Sequence, residues 1–119
     1  MLSWPLVDAE VTFLSGEEGG RQTPPRLDGF CQYCPQLVVQ SPDTREAAKS
    51  DQYLGVAFVS GPERIEPGCP ALCLLVLVYW PTVDYDALQP GAEFTIREGR
   101  SIVGFGLVRE RVEPDWKGS

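Results

Sequence analysis

EVTFLSGEEGGRQTP, residues 10–24, decides the fold. In its first half the apolar residues Val11 and Phe13 alternate with polar ones, which is the period-2 pattern of a half-buried strand. Its second half cannot continue that strand, because the Gly-Gly pair at 19–20 is free to adopt positive φ and the Pro-Pro pair at 24–25 lacks two backbone donors. The stretch therefore predicts a strand that presents a polar, glycine-hinged loop, an arrangement suited to a binding surface.

The same patterns recur along the rest of the chain. Alternating or continuously apolar runs, separated by turns that contain Gly or Pro, predict about six short strands and little helix. The apolar run Leu72–Trp80 is expected to be buried on both faces, and Gly104 and Gly106 are expected on one face, at a bend or a close backbone approach. The expected strands are 10–15, 35–40, 53–60, 72–80, 92–97 and 102–110, and residues 41–49 are expected to form either one or two helical turns or a mobile insert. The pattern predicts an all-β barrel or sandwich.

The chain has the size of one domain. Its 119 residues, 43% hydrophobic and 23% charged, are enough to bury a core without metal or disulfides. We expect a lead-in over 1–8, a barrel over 9–113 and a polar tail over 114–119. No basic leader precedes an apolar run, and the longest such run, residues 71–80, is too short to span a membrane, so a cytoplasmic location without membrane contact is expected.

The composition excludes several classes of enzyme. The chain contains no histidine, which removes Ser-His and Cys-His catalytic pairs and histidine metal ligands. Neither a phosphate-binding loop nor a dinucleotide fingerprint is present, so no nucleotide site is expected. The net charge of −7 disfavours nonspecific binding of nucleic acid and leaves only a small local basic patch for RNA. A non-enzymatic protein is expected.

Four cysteines form the one candidate metal set. Cys31 and Cys34 have Cys-x-x-Cys spacing, and Cys69 and Cys73 follow with Cys-x3-Cys spacing, an arrangement that resembles a zinc site. The alternatives are ordinary buried thiols, since free cysteine is among the most buried residue types, and a redox dithiol. The sequence leaves all three interpretations open.

Two surface clusters have more than one interpretation. Four arginines on the last hairpin alternate with glutamates, which is typical of a salt-bridged solvent face and less so of a nucleic-acid patch. Three aromatic residues surround Pro81 and either pack at the rim of the core or form a stacking site for a ligand. These residues are Arg97, Arg100, Arg109 and Arg111 in the first cluster and Tyr79, Trp80 and Tyr85 in the second.

Residues 10–24 resemble the opening of the C-terminal β-barrel domain of translation elongation factor Tu, and FTIREGRSIVGFGLV, residues 94–108, resembles its closing hairpin. Pro35-Gln36-Leu37 and Pro67-Gly68 fall where that domain has a strand start and a turn. The resemblance covers residues 9–112. It implies a six-stranded antiparallel barrel, here as a free-standing relative without the GTPase domain or the second barrel.

The resemblance also implies a contact surface. In the family this domain packs on the other two domains and helps to hold the T-stem of aminoacyl-tRNA. Carried over by motif, the contact residues are Arg21 and the adjacent Gln22, which replaces a family histidine, together with Gln36, Glu98, Gly99 and Arg100. The turn over 97–100 is one residue shorter than in the family.

These observations give two hypotheses of different classes. The first is a binding module without a cofactor. Its partner is a protein, or else tRNA or another RNA that binds through a local basic patch, and the sequence leaves open whether the chain associates with itself. The alternative is a small zinc-binding or redox protein that uses Cys31, Cys34, Cys69 and Cys73.

Overall fold

A computed structural model describes residues 5–20, 33–39, 53–62, 64–80 and 82–112. Their architecture is all-β, with one short 3-10 helix, η1, at Gly16–Glu18. Within the described ranges no helix has the length and apolar character needed to cross a membrane. The strands are β1 (Leu6–Phe13), β2 (Gln36–Val39), β3 (Leu54–Ser60), β4 (Ala71–Leu77), β5 (Glu93–Glu98) and β6 (Ser101–Val112).

The six strands form a closed barrel in the order β1-β4-β3-β2-β5-β6. The neighbouring strands are antiparallel, so the resemblance's expectation of a six-stranded antiparallel barrel is confirmed. The ladders differ in length: β1 and β6 are paired from Leu6 to Phe13, whereas β2 and β3 share only the register pairs Gln36↔Gly55 and Leu37↔Leu54. Each strand therefore has a paired neighbour on both sides.

The barrel interior is filled by alternate side chains of the six strands, as the period-2 pattern requires. Three aromatic rings form a cluster in this core: Phe13, Tyr33 and Phe58 pack in tilted pairs with centroids 5.4 to 6.2 Å apart. Two residues of a loop, Tyr85 and Leu88, also reach into the core and are fully buried. A loop therefore supplies part of the packing that strands supply elsewhere.

Sequence patterning located the strands well, but it misplaced two ends. β1 begins at Leu6, four residues before the expected start, because Val7 and Ala9 continue the inward alternation of Val11. β4 ends at Leu77 rather than at Trp80, because the Trp80 amide donates to the Leu77 carbonyl (3.1 Å) and closes a turn. Apolar composition alone cannot distinguish a strand from a turn that packs on the core.

Two finer expectations have different outcomes. The expectation that residues 72–80 are buried on both faces is wrong at Leu72 and Tyr79, which are 55% and 59% exposed. The close approach expected at Gly104 and Gly106 is confirmed, since a Cβ at Gly104 would lie 2.6 Å from the Thr12 carbonyl oxygen. The helical turns expected over 41–49 fall outside the described residues.

Candidate binding site

The structure brings three of the predicted contact residues into one groove. Gln36 lies at the start of β2, directly opposite Arg97 of β5, and Glu98 and Gly99 lie at the turn between β5 and β6. Together they line a groove of about 350 Å³, which we call the hairpin groove. Arg100, the next residue along the turn, is exposed.

One wall of the hairpin groove is the segment before β2. Pro35 and Tyr33 accept the amide hydrogens of Val56 (3.1 Å) and Phe58 (2.9 Å), so this segment continues the sheet alongside β3. The Tyr33 ring is buried in the aromatic cluster, and its hydroxyl donates to Glu98 Oε2 at 2.6 Å. This charge-assisted hydrogen bond anchors the carboxylate to the rigid core.

The opposite wall is formed by the exposed ring of Tyr79, which contacts with Gly55 and Tyr85 hold in position. Tyr79 is 59% exposed, and its ring lies against Gly55, where a Cβ would come within 2.4 Å of it. The buried Tyr85 hydroxyl accepts the Tyr79 amide hydrogen (3.1 Å) and donates to the Gly55 carbonyl (2.6 Å). A tyrosine hydroxyl is protonated at neutral pH, and burial raises the pKa of Tyr85 further, so this group remains a hydrogen-bond donor in alkaline solution as well.

Arg97 supplies the positive charge in the lining. Its Nε donates to Thr95 Oγ1 at 2.9 Å, and its guanidinium carbon lies 5.8 Å from the centroid of the Tyr53 ring, a cation–π distance. Arg111 of the same hairpin points elsewhere, because its Nη1 donates to the Tyr85 carbonyl at 2.8 Å. Two of the last-hairpin arginines therefore have different roles: Arg97 lines the groove, and Arg111 holds the loop that fills the core.

The other predicted contact residues, Arg21 and Gln22, lie outside the described residues, and their role stays a prediction. Sequence reasoning missed the contributions of Tyr33 and Gly55 to this site. The signal for Gly55 was present, since a glycine inside an otherwise apolar strand marks a close approach. Nothing in the sequence signalled that Tyr33 would pair with Glu98, 65 residues away.

The cysteines do not gather in the part of the chain that the structure describes. Cys34 lines the hairpin groove, Cys69 is exposed in the turn before β4, and Cys73 is buried in β4. No group of three Cys, Asp or Glu residues suited to a metal ion occurs among the described residues, and Cys31 lies outside them. Burial, and secondarily the charge of Asp8, raises the pKa of the Cys73 thiol to about 12.

This contrast predicts selective alkylation. In the folded protein at pH 8, iodoacetamide should modify Cys34 and Cys69 and leave Cys73 unmodified, because Cys73 is both inaccessible and protonated. Peptide mass mapping separates the sites, and modification of Cys73 should rise only on unfolding or as the pH approaches 12. Equal modification of Cys73 and Cys69 in the native protein would contradict the buried position of Cys73.

A comparison of the chain with models of known protein families finds no matching family.

Proposed function

We propose that the chain is a non-enzymatic binding module that captures a cytoplasmic protein through the hairpin groove. The observation that supports this most directly is Tyr79, an aromatic ring that is exposed and yet fixed in position by Gly55 and Tyr85. An exposed ring of this kind loses little conformational entropy when a partner covers it. Tyrosine and arginine are enriched among the residues that dominate binding energy at protein interfaces. Arg97 lines the same groove, and the exposed Arg100 directly follows the lining residue Gly99.

We also propose that the barrel is a relative of the C-terminal domain of elongation factor Tu. The closed six-stranded antiparallel order supports this relationship. So does the β5–β6 turn, where Gly99 has a φ of 62° at the position that the resemblance assigns to the tRNA-facing turn. This relationship would imply that the partner is a component of the translation machinery. We favour a protein over RNA because the net charge is −7 and the Glu98 carboxylate lies in the groove.

The test is an affinity capture with variants matched for exposure and charge. The double variant Tyr79→Ala/Arg100→Ala should reduce capture of the partner from cell lysate by at least about tenfold, since residues of this kind typically contribute about 2 kcal/mol each when they dominate an interface. The matched control is Leu72→Ala/Arg109→Ala, which removes an exposed apolar side chain and an exposed arginine outside the groove. Quantitative mass spectrometry of the captured proteins provides the measurement.

The outcomes distinguish the partner classes. Equal capture by the groove variant and its control would refute the site. Capture that is abolished by ribonuclease and that weakens steeply with salt would assign the groove to RNA and refute the protein partner.

A further inference from the structure

A second groove lies on the outer face of β5, β6 and β1. It encloses about 390 Å³ and shares no lining residue with the hairpin groove. We call it the strand groove. Its floor is formed by β6, where Phe105 is half-buried and Leu107 is 40% exposed.

The strand groove follows from two glycines. The residues of β6 that face the interior include Gly104 and Gly106, where a Cβ would come within 2.6 Å of the Thr12 carbonyl oxygen and 2.5 Å of the Phe94 ring, respectively. Because neither glycine has a side chain, β6 lies close to the Thr12 carbonyl of β1 and to the Phe94 ring of β5. Its outward residues therefore form a floor between the side chains of β1 and β5.

Strand register determines the chemistry of this groove. Leu107 pairs with Glu10 of β1 on one side and with Glu93 of β5 on the other, so two exposed carboxylates flank one leucine. Adjacent strands lie about 4.8 Å apart, which places the two glutamate backbones about 10 Å from each other. The next row toward the β5–β6 turn is Thr12, Phe105 and Thr95. Among the described residues that line the groove there are acidic, neutral polar and apolar side chains and no basic one.

We propose that the strand groove binds a segment of a partner protein in which an apolar residue is flanked on both sides by Arg or Lys. The apolar residue would cover Leu107 and Phe105, and the two cations would pair with Glu10 and Glu93. A second copy of this face is a poor occupant, because it would bring two pairs of glutamates together. This surface is independent of the hairpin groove, so its failure would leave the proposed function intact.

The test uses a synthetic peptide with a central Leu flanked by an Arg on each side, and a matched peptide with Glu in place of each Arg. Titration of the isotopically labelled protein should shift the backbone amide signals of Glu10, Phe105 and Leu107 with the Arg peptide only. The double variant Glu10→Gln/Glu93→Gln should weaken binding about five- to tenfold and reduce its salt dependence, as expected for two partly exposed ion pairs. Leu107→Ser should weaken binding while preserving the salt dependence.

The control variant Glu66→Gln/Asp86→Asn removes the same amount of charge at exposed positions outside the strand groove and should bind the Arg peptide like the parent protein. Four results would overturn the proposal: no measurable binding, equal binding of the Glu peptide, equal weakening in both charge variants, or shifts confined to the hairpin groove. A concentration-dependent dimer that Leu107→Ser abolishes would also overturn it, since it would assign the face to a second copy.

Discussion

Replacing Gly106 with alanine is expected to destabilise the barrel by about 2 to 3 kcal/mol, and valine at the same position should prevent folding. A Cβ there would lie 2.5 Å from the Phe94 ring and 2.8 Å from the Glu10 carbonyl oxygen. Because that carbonyl belongs to the backbone of β1, relief would require β1 and β6 to separate. Overpacking of a core typically costs about 1 to 3 kcal/mol, and the total stability of a domain is only about 5 to 15 kcal/mol. Urea unfolding followed by circular dichroism measures the loss.

An exposed residue of the same strand, three positions after Gly106, provides the control. Arg109→Ala in the same strand should change the free energy of unfolding by no more than about 0.5 kcal/mol. In a double-mutant cycle, Phe94→Leu should cost less in the Gly106→Ala protein than in the parent, because the shorter side chain relieves one of the two close contacts. A Gly106→Ala protein as stable as its parent would show that β6 does not approach β1 and Phe94 as closely as described.

Tyr85→Phe should lower the free energy of unfolding by about 2 to 4 kcal/mol. The change removes a hydroxyl that is hydrogen-bonded to the Gly55 carbonyl and to the Tyr79 amide, and it leaves both backbone groups without that partner. An unsatisfied buried polar group costs about 1 to 3 kcal/mol. The apolar part of the ring stays in place, so the loss reports the hydrogen bonds rather than the packing.

The matched control is Tyr53→Phe, which removes the hydroxyl of a tyrosine that is 42% exposed and should be nearly neutral. The Tyr85 variant should also weaken partner capture at the hairpin groove, because Tyr79 loses the bond that positions its backbone. Unchanged stability of Tyr85→Phe, within the error of chemical unfolding, would contradict the role of this hydroxyl as a tie between β3 and the turn after β4.

The fold was more predictable from the sequence than the site was. Alternation identified Val11 and Phe13 as residues of one face of the first strand, and both are buried. The pattern failed where burial did not follow from periodicity. Tyr85 lies in a loop with two aspartates and yet is fully buried, because its hydroxyl has two backbone partners in the core. Composition gives no sign of such partners.

The sequence predicted contact residues of the candidate site only where they belong to a motif of the resemblance. The resemblance indicated Gln36, Glu98 and Gly99, and the barrel closure places them around one groove. Local sequence indicated Tyr79 as a residue of either a packed rim or a stacking site, but not its contact with Gly55. It could not indicate Tyr33, since the role of Tyr33 depends on a contact with Glu98, 65 residues along the chain. The strand groove was missed for the same reason: Glu10, Leu107 and Glu93 become neighbours only through strand register.

The short ladder between β2 and β3 makes this junction the place where the closed barrel is expected to open most easily. Two register pairs join these strands, and beyond them the segment before β2 adds two backbone hydrogen bonds, in which Pro35 and Tyr33 accept the amide hydrogens of Val56 and Phe58. Opening at this junction would break fewer hydrogen bonds than opening between β1 and β6. Gln36 and Gly55, which lie on opposite sides of the junction, both line the hairpin groove. A ligand that contacts both therefore favours the closed ring over the opened one, and its binding energy becomes linked to the cooperativity of the whole barrel.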